Sequence, residues 1–498
     1  MFSDPIRFRG PLADSYPAAV ALVVFALIPY LGLTSALTPL TPVLGKSLHM
    51  SDQALSLTTG MANAAYAFGT VLAVQFAVHL RGRRMLFLYA VLSLIGSVMT
   101  AAAGTPGLFI AGHVLQGLCT SLMLIAAVPP LVIGWPTSRM PGTAVIMNLC
   151  IFGAVAIGPV IGGLQASAGA WRPLFWIVAG LGALALVFVV LTFEDQGPQD
   201  RTAPWDWVAL ALAAGGCAAA FFGASELETH AASDAIVLVP LLAGIAMLIS
   251  LVTFEYLIEN PLMPVRQAAS TLPVAGIVVA MCAGAASVAV IELAQTALKS
   301  EPPAHVGLLF LPEFGAAAAV AVIFGLLFRT RWIPLLALGG MITLSAGAAV
   351  LSGVAPGSDV LVLVGSGLVG MGVGASVSPS LFIAGFSLRS AQLQRVFALV
   401  ELLRGVAAFM VAPVVLHVAM TAAATPAAGI GTAAWICFAI AASGGLFAIG
   451  LFLAGRARLQ RPDLERWDSG DEPAWYSPPL GAGLRREKRS PSAAGARG

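Results

Sequence analysis

Long apolar runs alternate with short polar breaks along nearly the whole chain. A helix needs about 20 apolar residues to cross the hydrocarbon core of a bilayer. Fourteen runs reach that length: 17–40, 55–79, 85–104, 107–134, 142–166, 172–193, 205–224, 234–257, 271–297, 306–328, 332–353, 358–386, 394–420 and 430–455. The pattern therefore predicts an all-α integral membrane protein with about fourteen spans. The first run is too long for the apolar part of a signal peptide and reads as a retained span. Two breaks read as linkers: 194–204, and the tail after Arg456. The tail is rich in Arg, Pro, Gly and Ser, a composition that predicts disorder.

Composition moves the same way. The 498 residues are 59% hydrophobic and 10% charged, against about 25% charged in a soluble domain. No water-soluble fold of this size could hide so much apolar surface, so lipid is the solvent. A net charge of +2 excludes the basic field that nucleic acid would need. The five cysteines, Cys119, Cys150, Cys217, Cys282 and Cys437, are scattered through apolar runs. Odd, buried and scattered, they predict neither a disulfide framework nor a zinc site; no metal or cofactor is expected.

The cationic residues set the orientation. With a cytoplasmic N-terminus, 21 Lys and Arg fall on the cytoplasmic side and three on the other, namely Lys46, Arg172 and Lys299. Arg404 alone is embedded. Dropping one span would scramble that bias, so both termini are predicted to be cytoplasmic, in the inner membrane of a bacterial cell. Internal repetition is weak but visible. "LRGRR" (80–84) follows span two and "FRTRW" (328–332) precedes span eleven; Pro159 in span five has an echo in Pro413 of span thirteen. The organisation expected is a tail and six-helix bundle over 1–193, a linker with two additional spans over 194–270, a second six-helix bundle over 271–455, and a cytoplasmic tail over 456–498. Repeated halves around a midplane site are the architecture of secondary transporters.

The stretch "GAVAIGPVIGG" (153–163) places four glycines and a proline inside span five. In water these residues weaken a helix. In lipid, Ala154, Gly158 and Gly162 form a small-residue stripe along which another helix packs closely. Pro159 removes one backbone hydrogen bond and bends the helix. "RGRR" (81–84) follows span two, and "HVLQG" (113–117) lies in span four. With "WRPLFWI" (171–177), "PWDW" (204–207), "ENPLMPVR" (259–266), "VGLLFLP" (306–312) and "ELLRGVAAF" (401–409), this ordered set resembles the major facilitator superfamily. It looks like the fourteen-helix drug:proton antiporter branch, and the resemblance covers 17–455. It implies that Gly153, Gly158, Pro159, Gly162 and Gly163 form the conformational motif associated with antiport. It also implies a gating loop, here His79, Gly82, Arg83 and Arg84, and a family glutamine at Gln116. The sequence departs from the family pattern at three places. His79 stands where an Asp is usual, His113 stands where an Arg is usual, and "YLGLTSALTP" (30–39) in span one has no acid.

Embedded ionisable residues are functional candidates, because a charge at the bilayer centre costs at least about 2.5–3.5 kcal/mol. The proton-coupling candidates are Glu292 in span nine, Glu313 in span ten and His113 in span four, with the two glutamates favoured. Glu401 and Arg404 in span thirteen, three apart on one helical face, read as an ion pair or a coupling pair. Asp206 reads as a residue of the first turn of span seven, where the helix dipole favours it. "GSGLVG" (365–370) matches a dinucleotide fingerprint but lies inside an apolar span, so it reads as helix packing. With no phosphate-binding loop either, an enzyme or a nucleotide-driven pump is not expected. The function expected is export of hydrophobic or amphipathic small molecules by proton antiport, through alternating access. Its partners are the substrate, protons and lipid; a periplasmic adaptor is not specified. The alternatives are an uncoupled facilitator or uniporter of a metabolite, and a non-transporting receptor.

Overall fold

The structure is a computed structural model that describes residues 9–80, 82–192, 194, 204–423 and 425–482. Among these are fourteen helices long and apolar enough to cross a membrane. We number them in chain order: α1 Tyr16–Leu48, α2 Asp52–His79, α3 Gly82–Ala101, α4 Pro106–Ile133, α5 Thr137–Ser167, α6 Arg172–Leu191, α7 Trp207–Glu226, α8 Ala235–Leu257, α9 Thr271–Ala297, α10 Pro303–Leu327, α11 Ile333–Leu351, α12 Asp359–Phe386, α13 Ser390–Thr421 and α14 Ala427–Ala454. A short helix α15, Leu464–Asp468, follows in the tail. Two isolated backbone bridges, Arg9 with Glu194 and Ser270 with Pro479, are the nearest thing to sheet among the described residues.

Apolar side chains on the bundle's outer surface, among them Val239, Leu326, Ile342 and Leu446, are more than half exposed. In water such a surface would aggregate; facing acyl chains it is at home. Helix starts follow their caps: the hydroxyls of Ser15, Ser51, Thr105 and Thr425 accept from backbone N–H groups of the first turns of α1, α2, α4 and α14. The sequence places the end of α1 at residue 40. The helix runs on to Leu48, through Pro39 and Pro42, and stops where His49 turns left-handed (φ 52°).

The two halves repeat one packing pattern. In the first, α1 packs on α5 and α6, α2 on α4, and α3 on α4 and α6. In the second, α9 packs on α13 and α14, α10 on α12, and α11 on α12 and α14. Every pair corresponds under a shift of eight spans, so the chain is two six-helix bundles with a pseudo-repeat. Pro159 of α5 and Pro413 of α13 occupy corresponding helices. The additional pair, α7 and α8, pack on each other, and α7 also lies against α2 and α13. The pair thus flanks the seam between halves instead of separating them.

Connections gather on two faces. Leu12 N–H donates to Leu191 O, and the tail meets the start of α9 and the α12–α13 corner; this is the terminal face. On the opposite face Gln53 meets Glu226, Ala304 N–H donates to Ser167, and His417 meets Leu227 O. The tail differs from its expected disorder over the described 456–482. Trp467 there is fully buried and Trp475 nearly so, because two large indoles amid the polar residues supply the apolar area that an ordered segment needs. The rest of the tail, 483–498, lies outside the described residues, as do Arg81 and most of the 194–204 linker.

Candidate functional site

Two seams join the halves, α2 against α13 and α5 against α10. They are counterparts under the pseudo-repeat, since α2 corresponds to α10 and α5 to α13.

The α2–α13 seam holds the buried ion pair. Arg404 Nε lies 3.2 and 3.1 Å from the two oxygens of Glu401, and its terminal nitrogen lies 2.5 Å from Oε2. The spacing of three places both on one helical face. Tyr66 of α2 donates its hydroxyl to Glu401 Oε2 at 3.4 Å. The Arg404 guanidinium also sits over the Phe152 ring of α5, 5.8 Å from its centroid. Tyr66 stacks on Tyr30 of α1 (6.2 Å) and meets Phe409 of α13 edge-on (6.4 Å). One pair of charges is thereby touched from α2, α5 and α13. Removing one partner leaves an uncompensated buried charge. Arg404→Leu is therefore expected to cost about 3–5 kcal/mol of stability. Glu401→Gln with Arg404→Leu should recover most of it, read by thermal unfolding of purified protein. A single variant as stable as the parent would show that the pair does not hold this seam.

The α5–α10 seam is built on irregular backbone. Leu149–Gly153 form a π-helical turn just before the Ala154–Ser167 helix. Such a turn re-aims the chain and recurs at functional sites. Asn148, next to it, donates from Nδ2 to Gly374 O of α12 at 3.0 Å. A Cβ on Gly158 would lie 2.7 Å from Gly32 O and 2.9 Å from Ala36 N of α1. A Cβ on Gly163 would lie 3.1 Å from Gly307 Cα of α10. The glycines of α5 thus make two contacts: the stripe packs on α1 within the first half, and Gly163 reaches across to the second. Gly162 also abuts α1 at Ala36 and Pro39, while Gly153 faces Leu149 and Phe314.

Across this seam α10 is itself broken. One helical piece ends at Leu309, and a second, Leu311–Leu327, starts with Pro312 in its first turn. Glu313 lies in that first turn, buried, and its Oε2 has no hydrogen-bond partner. The backbone of Glu313 packs against Gly370 of α12, which explains the "GSGLVG" stretch as helix packing. On the terminal side the halves also meet where Gln394 of α13 donates to Ile125 O of α4 at 3.0 Å.

The remaining candidates lie elsewhere. Glu292 is half-buried on α9 toward the opposite face, within the electrostatic reach of Glu228 and Lys299. Glu228 is exposed in the connection after α7, within the electrostatic reach of Lys299 and Asp52. His113 is buried in the first half; its Nδ1 is 3.0 Å from Gln116 Oε1, and its ring faces Tyr30 and Phe109. Gln116 in turn donates to Ser97 Oγ at 3.0 Å. His79 closes α2, with Nδ1 2.8 Å from Gln75 O and its ring stacked 4.7 Å from Trp205. Arg83 donates to Thr192 O at 2.5 Å, joining α3 to the end of α6. Gly82 begins α3 with open space around it. Asp206 caps α7, its Oδ1 accepting from Ala209 N–H at 2.9 Å.

Sequence reading passed over several residues of this site. Tyr30, Asn63 and Tyr66 carry no charge, so a search for embedded ionisable groups does not reach them; Tyr30 and Asn63 approach at 3.5 Å. Two tyrosines inside apolar runs are the signal that could have found them. Glu226 and Glu255 lie near the ends of α7 and α8 and are not among the sequence candidates. Yet the Glu226 side chain is buried beneath Gln53 and His230, each about 3.0 Å away. Glu255 accepts Met263 N–H at 2.8 Å and so folds "ENPLMPVR" back onto α8.

Comparison with known proteins follows this geometry. The sequence profile of the Major Facilitator Superfamily matches residues 23–413. An "Uncharacterized MFS-type transporter YubD" of Bacillus subtilis is 30% identical over 202 residues, 40% of this chain and 39% of that protein. A "Multidrug resistance protein B homolog" of Mycobacterium tuberculosis is 26% identical over 311 residues, 60% of this chain and 57% of that one. The chain therefore spans from about two fifths to somewhat over half the length of these curated relatives. Among solved structures, a POT family transporter in complex with a thioalcohol-conjugated peptide superposes with a TM-score of 0.63 at 13% identity, over 88% of this chain and 96% of that one. That likeness is one of fold. With the profile matched across both six-helix halves, the chain belongs to the Major Facilitator Superfamily.

Proposed function

We propose that the protein is a secondary active transporter that exports hydrophobic or amphipathic small molecules by proton antiport, through alternating access. The observation that carries this reading is the pair of counterpart seams, α2–α13 and α5–α10. In the first, Tyr66 of α2 meets the Glu401–Arg404 pair of α13; in the second, Asn148 of α5 donates to Gly374 O of α12, and Glu313 lies buried in the broken α10. Rocking of one half on the other opens one face while closing the other. A group that is buried at a seam in one state and wetted in the next binds its proton with different affinity in the two states, and that difference is what coupling requires. Glu313, with one oxygen unpartnered, is the first candidate for that role; Glu292, near the opposite face, is the second, and His113, buried within the first half, the third. The substrate class is supported by the relatives named for multidrug resistance.

The test is flux in proteoliposomes with an imposed pH gradient and a panel of lipophilic compounds. Uptake that follows the gradient and stops when it is collapsed supports antiport. Flux that survives collapse favours the second reading, an uncoupled facilitator, for which the observation is that α1 carries no acid in 30–39. Binding without flux would instead revive a receptor. We place the protein in the inner membrane of a bacterium with the terminal face cytoplasmic. Reporter domains fused at residues 1 and 498 are expected on the same, cytoplasmic side. Reporters on opposite sides would contradict the even number of spans.

A further inference from the structure

We infer that the tail segment 457–479 is a latch that holds the terminal face of the two halves closed. The inference rests on the alternating-access reading, because only a face that opens needs a latch.

The segment is anchored to the second half at two places. Trp467 Nε1 donates to Leu388 O at 2.9 Å, and Trp475 N–H donates to Phe386 O at 3.1 Å. Both indoles meet the Phe386 ring edge-on, at 4.9 and 5.6 Å. Further along, Thr271 N–H donates to Pro478 O at 3.0 Å and Leu272 N–H to Ser477 Oγ at 2.9 Å. The tail thereby joins the α12–α13 corner to the start of α9. It is also closed on itself. Asp463 N–H donates to Ala474 O at 3.1 Å, Gln460 Nε2 donates to Tyr476 O at 2.9 Å, and Trp475 Nε1 donates to Gln460 O at 3.1 Å. A segment so cross-braced behaves as a rigid clip instead of a strand of random coil.

What makes it a latch is its third contact. Helix α15 lies against Thr137–Arg139, the turn that opens α5 in the first half. That turn is tied to the first span. The Arg139 guanidinium sits 5.3 Å over the Tyr16 ring, and Tyr16 Oη lies 3.0 Å from Thr143 Oγ1. The start of α5 is therefore held between the tail and α10, where Gly325 abuts Pro141. If the halves part on the terminal face, the Thr137–Arg139 turn must leave either α10 and the tail or the rest of its own half. The contact is small and lies at the membrane's edge, so it biases the equilibrium without locking it.

The test measures accessibility in the full chain, without substrate or gradient. Gln394→Cys reports the terminal side of the seam and Ala304→Cys the opposite side, each probed with a membrane-impermeant maleimide. Four of the five native cysteines are buried and Cys282 is half-buried, so their background is low. The paired substitution Trp467→Ala with Trp475→Ala is expected to speed labelling at Gln394→Cys on the order of tenfold, a shift of about 1.4 kcal/mol in a two-state equilibrium. Labelling at Ala304→Cys should not rise. Trypsin cleavage after Arg458 and Arg466 should accelerate as the tail releases. Trp467→Phe, which keeps the aromatic contact and loses the bond to Leu388, should show a smaller rise. The latch is overturned if the tail is released with no change at Gln394→Cys. It is equally overturned if both reporters rise together, which would make the tail a general support of the fold, or if the paired substitution leaves the tail in place. Labelling that shifts as expected in a protein without flux would refute the transport reading and leave the latch standing.

Discussion

Gly158→Leu is expected to abolish transport, with flux at least about a hundredfold below the parent. The Cβ alone would strike Gly32 O and Ala36 N of α1, at 2.7 and 2.9 Å, and would meet the Ser35 hydroxyl closer still. Two of these three atoms are backbone, and a helix backbone in a packed bundle does not give way. Overpacking a well-filled interior costs about 1–3 kcal/mol for far smaller intrusions, and about 2.7 kcal/mol already corresponds to a hundredfold. Gly158→Ala should fail in the same direction, and Ser35→Gly should not rescue it, because the backbone contacts persist. Rescue by Ser35→Gly would show that the hydroxyl, not the backbone approach, sets the limit. Gly163→Leu makes an instructive contrast. Its neighbours, Gly307 and Pro303, belong to the other half, so the protein should fold but fail to close its opposite face. Faster labelling at Ala304→Cys would read this directly, whereas an unchanged rate would show that α5 and α10 do not meet there during the cycle.

Glu313→Gln is expected to remove the response of flux to a pH gradient, by at least about tenfold, while leaving the protein folded. Glutamine keeps the shape and the hydrogen-bonding reach of the carboxyl, and it cannot release a proton. Because Oε2 has no partner to lose, the substitution breaks no hydrogen bond at that atom and stability should hold or improve. Substrate exchange down its own gradient should persist, since it needs the seams and not the proton. The same change at Glu292 should give a smaller effect, as that residue is only partly buried near the opposite face. Full gradient-driven activity in both variants would sink the carboxylate-coupling proposal and bring His113 forward. A Glu313→Gln protein that loses exchange as well would assign the residue to packing or substrate contact.

Much of this architecture is legible one residue at a time. A span is a local property: about twenty apolar residues in a row, with Ser or Thr caps and cationic ends, suffice to predict it. The stripe through Gly158 and Gly162 is local too, since spacing of four defines a helix face. Asp206 was readable as a first-turn residue because capping involves only neighbours. Where reading stopped, the cause was distance along the chain. Tyr66 and Glu401 are 335 positions apart, and so are joined only by folding. Glu226 and Glu255 escape notice because burial by Gln53, or by a backbone N–H eight residues on, leaves no mark in composition. The tail was misjudged for a related reason: its polar average hid two indoles whose burial needs Phe386 and Leu388 from another part of the chain.

The amino-acid order thus suffices for the solvent, the number of spans, the two-half organisation and the face with which α5 packs. Each of these follows from transfer of side chains into lipid and from the period of a helix, which are settled within a few turns. Folding in three dimensions selects the partners: which half Gly163 touches, that Tyr66 of α2 meets the Glu401–Arg404 pair, that Glu313 keeps one oxygen unpaired, and that the tail reaches the Thr137–Arg139 turn. Those choices depend on which helices become neighbours, and in a bilayer every helix offers an apolar side to every other. Shape complementarity at glycines and the need to satisfy buried polar atoms pick one arrangement, and both are properties of pairs of helices that no single segment carries.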